Sequence, residues 1–374
     1  MNKNFKIILW ILFIGLIALA SYSLSPLKNL KKSETEATEG IDSDLTIVGF
    51  SQLGSESDWR TANTKSIQNA LTKENGFSLI FSNGRQSQEN QIKDVRSFIF
   101  QEVDYIVIAP VTESGWDTVL TEAKEAGIPV IIVDRMIDTE DESLYVASVG
   151  TDKYVEGRKA GLWLEKYLEE QKVKEEASQD KDASSKEKSA KESTSKEKSD
   201  PEEQGQDTDI INIVVLEGTP NSTAQLGRSK GFEDIAATHE NWRILARENG
   251  DFTKAKGKEV MSKLLREYND IDILVSQNDD MTFGAIEAIQ EAGLTCGVNG
   301  KIKIISFDAV SEAFDKMEEG LINVDIECNP LQGPLIADII GRLERGEKVD
   351  KISYVDEKVF EAEAAAAERS GRSY

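Results

Sequence analysis

The sequence runs to 374 residues, room for roughly two to three domains, with 39% apolar and 30% charged residues. Lysine plus arginine number 44 and aspartate plus glutamate 68, and the formal charge of −24 argues against nucleic acid or an anionic membrane surface as partner of the folded body. The single histidine, His239, excludes a multi-histidine metal site, and two cysteines, Cys296 and Cys328, are too few for a disulfide framework or a four-thiolate zinc site.

At the N-terminus, Lys3 and Lys6 precede an apolar run from Ile7 to about Ala20, which ends in Ala18-Leu19-Ala20-Ser21. Residues 1–24 read either as an export signal cut after small residues or as an uncleaved membrane anchor. Both readings place the body outside the cytoplasm. No cysteine stands near the run, so it is no lipid-attachment site. Residues 25–44 are polar and read as a tether.

The body then alternates apolar runs with helical periodicity. Strands are predicted at Leu45–Phe50, Ser78–Ser82, Asp104–Ala109 and Pro129–Asp134, and helices at Thr61–Asn75, Gln88–Gln101 and Gly115–Ala126. The strands are nearly unbroken apolar runs, as in a parallel sheet covered on both faces. A helix ending near Gln171 is followed by a different kind of sequence. Lys172–Asp207 holds eight lysines, eleven acidic residues, seven serines and no aromatic, with Ser-Lys-Glu-Lys-Ser starting at Ser185 and again at Ser195. Such a stretch cannot bury a core; it is expected to be disordered, or at most a fluctuating charged helix.

A second series follows, with strands predicted at Ile210–Leu216, Trp242–Arg247, Ile271–Ser276, Ile302–Phe307 and Ile322–Glu327. Helices are predicted at Ala224–Thr238, where Gly227 and Gly231 weaken the signal, at Thr253–Tyr268, at Met281–Ala292, and up to about Glu319. The fold class is therefore α/β, with two doubly wound, Rossmann-like lobes and a cleft between them. Ligands of such sheets bind beyond the carboxyl ends of the strands. The residues there are Trp, Phe, Asp, Asn, Arg and Glu, which suit a polyhydroxylated ligand. Aromatic faces cover the C–H face of a sugar ring, and arginine with carboxylate offers paired donors and acceptors to neighbouring hydroxyls.

The blocks Val48–Arg60, Gln88–Phe98, Ile108-Ala109-Pro110, Asp134-Arg135, Gly250–Thr253 and Gln277–Met281 occur in this order in one family. The chain resembles the periplasmic sugar-binding proteins of the pentose/hexose type, and among them the galactofuranose-binding subgroup of bacterial ABC transporters. The resemblance implies a type I periplasmic binding protein fold with three hinge crossings, near Ser148–Asp152, Cys328–Asn329 and Asp350–Ile352. It implies a first lobe of residues 45–149 with 329–350 and a second of 150–328 with 351–374, the charged stretch 172–207 looping out of the second.

Carried over residue by residue, the resemblance has Asp134 and Arg135 grip ring hydroxyls and Trp59 stack on the sugar, with Glu56 and Arg60 beside it. Arg228, Asn278 and Asp308 would bond hydroxyls from the other lobe, and Phe252 would close the far side. Cys328 and Ala109 stand where ribose-type members carry Gln and Asn, which argues against plain ribose.

The expected function is a non-enzymatic, extracytoplasmic monosaccharide receptor that serves an ABC transporter permease by lobe closure, as a monomer and with no cofactor or metal. The alternative output is presentation of the sugar to a membrane sensor kinase or chemoreceptor. A glycoside hydrolase and a DNA-binding repressor share features of this outline. Closure on a monosaccharide leaves no leaving group for the first, and the apolar leader replaces the helix-turn-helix of the second.

Overall fold

The computed structural model describes residues 45–189 and 210–374. The predicted leader and tether (1–44) and the later part of the charged stretch (190–207) lie outside the described residues. Among the described residues no helix is long and apolar enough to cross a membrane.

The first series is β1 (Thr46–Gln52), α1 (Asp58–Ala70), β2 (Phe77–Asn83), α2 (Gln88–Phe100), β3 (Tyr105–Ile108), α3 (Asp117–Glu125), β4 (Val130–Asp134) and β5 (Ala147–Gly150). Then come α4 (Lys153–Ser189), β6 (Ile211–Glu217), α5 (Thr223–Ala236), β7 (Trp242–Asn249), α6 (Lys254–Glu267), β8 (Ile273–Ser276), α7 (Asp279–Glu291), β9 (Lys303–Asp308), α8 (Ser311–Glu318) and β10 (Val324–Glu327). The chain returns through α9 (Gly333–Glu344), β11 (Ile352–Tyr354), β12 (Val359–Glu361) and the short α10 (Ala365–Glu368).

Two six-stranded sheets result, ordered β2-β1-β3-β4-β5-β11 and β7-β6-β8-β9-β10-β12. Every pairing is parallel except β10 with β12. Strand order reverses between β1 and β3 in one sheet and between β6 and β8 in the other, the switch points at which open α/β sheets offer a crevice. The central strands are apolar because helices cover both faces: every residue of β3, β4 and β8 is buried.

Helix starts follow capping chemistry. Ser57, Ser87, Ser222, Thr253 and Asn278 each accept a backbone N–H of the following first turn. The glycines that weakened the prediction of α5 have a packing role. A side chain on Gly231 would stand 2.1 Å from the Tyr154 carbonyl oxygen, so glycine is what lets α4 and α5 approach closely.

Three expectations are corrected. The helix predicted to end near Gln171 continues to Ser189, since Lys, Glu, Gln and Ala are strong helix formers and Lys166 pairs with Glu170 one turn on at 3.7 Å. Residues 172–189 of the charged stretch are thus helical. The third crossing falls after Tyr354 rather than near Asp350–Ile352, because β11 pairs with β5 through Ile352–Ser148 and Tyr354–Gly150. Residues 352–354 therefore belong to the first lobe's sheet, not to the second lobe.

The return helix α9 lies on the first lobe, where Ile336, Ile339 and Ile340 join Ile67 of α1 in one core, and the Gly333 N–H donates to Ser66 Oγ at 3.0 Å. Cys296 and Cys328 are both buried and free.

Candidate functional site

The loop after β1 turns directly into α1. Ser57 caps the helix by accepting the Arg60 N–H at 3.1 Å, and that cap sets Glu56, Trp59 and Arg60 at the cleft. Arg60 is buried between two carboxylates: Nε donates to Glu56 Oε1 at 3.0 Å and one terminal nitrogen donates to Asp134 Oδ2 at 2.7 Å. Its guanidinium lies 4.7 Å from the Trp59 ring centre. Asp134 ends β4 with φ of 64°, a left-handed conformation that turns its side chain out of the sheet. Arg135 follows, donates to the Val111 carbonyl at 2.9 Å, and lies 5.4 Å from the Phe252 ring.

The second lobe presents its groups in the same way, from strand ends. Phe252 (φ 57°) follows β7 and Asp308 (φ 109°) ends β9. Phe252 fits because residue 218 is glycine; a Cβ there would stand 1.8 Å from its ring. Asn278 caps α7, accepting the Met281 N–H at 3.0 Å while donating to the Phe252 carbonyl at 3.2 Å. Arg228, on α5, is held at every nitrogen: to Glu156 at 2.6 Å, to Asp308 at 3.2 Å and to the Gln277 carbonyl.

Glu56, Trp59, Arg60, Asp134, Arg135, Arg228, Phe252, Asn278 and Asp308 all line one cavity, together with Ser57, Ala224 and Cys328. All nine residues expected to touch the ligand are in that wall, while Ala109 is not. The lobes are closed over it. The Trp59 indole N–H donates to the Cys328 carbonyl, the Asp58 N–H to Asp280 Oδ2 at 3.2 Å, and the Met136 N–H to Thr223 Oγ1 at 2.8 Å.

Sequence reasoning missed Lys153 and Glu156. They open α4 immediately after the first crossing, where Asp152–Glu156 looks like an ordinary polar helix start. The crossing buries both between the lobes. The Lys153 ammonium lies 3.2 Å from Asp134, 3.4 Å from Glu156 and 2.9 Å from Cys328 Sγ, so it ties first-lobe Asp134 to the second lobe's Glu156–Arg228 pair. Glu156, Cys328 and Glu357 bring three potential metal-ligand atoms within 4.8 Å of one another. Lys153 already supplies the positive charge there.

Burial by itself would lift the Asp134 carboxyl; Arg60, Lys153 and Arg135 overcome it and hold it well below the usual carboxylate range. Burial, with Arg60 nearby, pushes the Arg135 guanidinium down to about 10, against the pull of Asp134 and Glu56. Burial also lifts Asp308 well above the usual range, more than Arg228 lowers it. Arg228 is therefore chiefly the partner of Glu156, and Asp308 is a carboxyl that can donate as well as accept. Burial and Glu156 raise the Cys328 thiol despite Lys153, so it serves as a small neutral piece of wall.

Among the described residues, three fully buried atoms of this cavity's side chains have no hydrogen-bond partner: Glu56 Oε2, one terminal nitrogen of Arg60, and Arg135 Nε, which lies 3.9 Å from Asp134. Buried polar atoms left unpaired are costly, so a group that fills the cavity with hydroxyls would satisfy what the protein leaves open.

Residues 48–348 match the family model described as a periplasmic binding protein domain. The chain is 36% identical to the galactofuranose-binding protein YtfQ of Escherichia coli K12 over 325 residues, 86% of this chain and 89% of that one. Among solved structures it is similar to the periplasmic binding component of the arabinose ABC transporter from Shewanella sp. ANA-3, bound to α- and β-L-arabinofuranose. That likeness has 38% identity and a TM-score of 0.74 over 88% of this chain and 96% of that one. It is also similar to a Mycobacterium smegmatis protein in complex with β-D-fucofuranose, with 38% identity and a TM-score of 0.73 over 86% of this chain and 93% of that one.

Proposed function

Since the chain belongs to the periplasmic binding protein family, we propose that its cleft closes on one furanose monosaccharide outside the cytoplasm and presents it to an ABC transporter permease. The carrying observation is the set of buried atoms on Glu56, Arg60 and Arg135 that have no hydrogen-bond partner and face one cavity. The three relatives differ in sugar but share the five-membered ring, and the reading takes that ring as the common requirement.

Asp134, Glu56, Arg60 and Arg135 grip ring hydroxyls from the first lobe. Trp59 and Phe252 cover the apolar faces, and Arg228, Asn278 and Asp308 complete the set on closure. Closure is a hinge motion about the three crossings, and the closed form is what a permease reads. In this reading residues 1–24 carry the body out of the cytoplasm, as signal or anchor, and the receptor acts as a monomer without a cofactor or metal.

Calorimetric titration of the chain from residue 45 tests this with L-arabinose, D-galactose, galactofuranose-containing samples, D-ribose and D-glucose. Saturable heat from the furanose-forming sugars, and none from glucose, is the expected result. No heat from any of them overturns the reading.

A further inference from the structure

Two carboxyl groups outside the cavity wall lie directly behind it. Asp279 opens α7 and Asp325 lies in β10, and neither has any exposed surface (0% each). Asp279 accepts from Ser306 Oγ at 2.6 Å and from the Val310 N–H at 2.9 Å; Asp325 accepts from the Ala309 N–H at 3.1 Å. The two carboxyls thus hold neighbouring N–H groups of one turn. Together they hold the backbone of Asp308–Val310, a turn whose first two residues stand at φ of 109° and 57° and which aims Asp308 at the cavity beside Arg228. L-residues rarely adopt such angles, and the surrounding bonds are what sustain them.

We propose that Asp279 and Asp325 share one proton and act as positioning residues for the ligand, clamping the Asp308–Val310 turn; the inference rests on the cavity being the sugar site. Two ionised carboxylates on neighbouring N–H groups of one turn, both out of water, repel strongly. Asp325 Oδ2 is fully buried and meets no N–H or O–H of the protein, and the shared proton is what satisfies it.

The titratable and charged groups facing the pair are the Asp308 carboxyl from β9, itself lifted by burial, and Arg372 from the C-terminal tail. Arg372 bonds Glu327 at 2.8 Å and the Ala309 carbonyl at 2.7 Å, so it steadies the same turn. From α7 itself Thr282 reaches Ser306 at 2.7 Å, and neighbouring Asp280 points to Asp58 across the cleft. Burial lifts both acids, Asp325 to about 7 and Asp279 well above its ordinary value. Toward alkaline pH the pair loses its last proton, becomes doubly charged, and the turn loosens.

The test uses an Asp280→Asn background, which removes the titration of that neighbour. L-arabinose is the probe. Affinity of this reference is expected to fall several-fold toward alkaline pH, where the pair loses its last proton. Adding Asp279→Asn supplies a permanent donor, so affinity should hold and the profile should flatten. Adding Asp279→Leu should weaken binding at every pH. Asp325→Asn gives the same test should the Asp279 variants fail to fold.

A pH profile in Asp279→Asn that parallels the reference, or undiminished binding in Asp279→Leu, overturns the proposal. Absence of L-arabinose binding by the reference at every pH overturns the furanose reading instead. The pair is then judged on infrared spectra: a protonated-carboxyl C=O band present near neutrality and lost in Asp279→Asn supports the shared proton, and its absence refutes it.

Discussion

The two lobes share one strand order, differing only in the antiparallel edge strand β12, and line the same cavity, yet they are wired differently. On the first lobe, Glu56, Arg60 and Arg135 each keep one buried polar atom without a hydrogen-bond partner among the described residues. On the second, Arg228 uses every nitrogen on Glu156, Gln277 and Asp308, and Asn278 both caps α7 and holds Phe252. The first lobe's cavity residues carry unspent hydrogen-bonding capacity, while Arg228 and Asn278 on the second already have protein partners. If the cavity is the sugar site, a sugar gains most from the first lobe, and Arg228 and Asn278 contribute a preformed wall. Losses on the first lobe should appear in binding alone. Losses on the second should appear in binding and folding together.

Arg135→Ala tests the first half of this contrast most severely. Hydrogen bonds to charged groups are worth roughly 1.5–3 kcal/mol each, so sugar affinity should fall by about one to two orders of magnitude. The melting temperature of the ligand-free protein should stay nearly unchanged. Equal binding in calorimetry would remove Arg135 from the site.

Asn278→Ala is the matching experiment on the second lobe. It deletes the cap of α7 as well as the anchor of Phe252, so stability should drop by about 1 kcal/mol alongside a loss of affinity. A drop in affinity with no change in thermal unfolding would erase the difference between the lobes.

The contact that joins them offers a pH test. Burial lifts the Asp280 carboxyl to about 7; the Asp58 N–H opposes this and the nearby Asp58, Glu56 and Glu312 carboxylates add to it. An opened cleft returns Asp280 to water and to the ordinary carboxylate range, near 4. The closed form thus binds the proton more tightly. Closure is favoured at low pH and loses that advantage as pH rises from about 4 to about 7. Wild-type affinity should be several-fold weaker near pH 8 than near pH 5, and Asp280→Asn should lose the part of that dependence that Asp280 carries, as stopped-flow fluorescence of Trp59 can follow. An unchanged slope in the variant would show that Asp280 does not sense closure.

The smallest effect is expected from deleting Lys172–Asp207. Lys153 stands at the cleft, and at 1.5 Å per helical residue Lys172 lies about 28 Å farther along α4. Affinity should stay within a few-fold by calorimetry. A large loss would mean that the charged stretch takes part in closure.

Legibility tracked how local each determinant is. Glu56, Trp59, Arg60, Asp134 and Asn278 could be found because each sits one turn beyond a recognisable apolar strand or at a capping position. Lys153 and Glu156 could not be found, since only the crossing after β5 turns an ordinary polar helix start into a buried bridge. The charged stretch was open between disorder and a charged helix because composition says only what cannot form a core; residues 172–189 are helical since Lys, Glu and Ala extend a helix that begins on packed residues.

By itself the sequence determined the alternation of strands and helices, the helix caps and the strand-end residues, because apolar periodicity and turn chemistry act over a few neighbours. Tertiary structure alone decided that β11 joins the first sheet, that Lys153 reaches Asp134, and that a carboxyl pair lies behind Asp308. Those contacts join residues far apart in the chain, and their energies depend on burial that exists only once both sheets have formed.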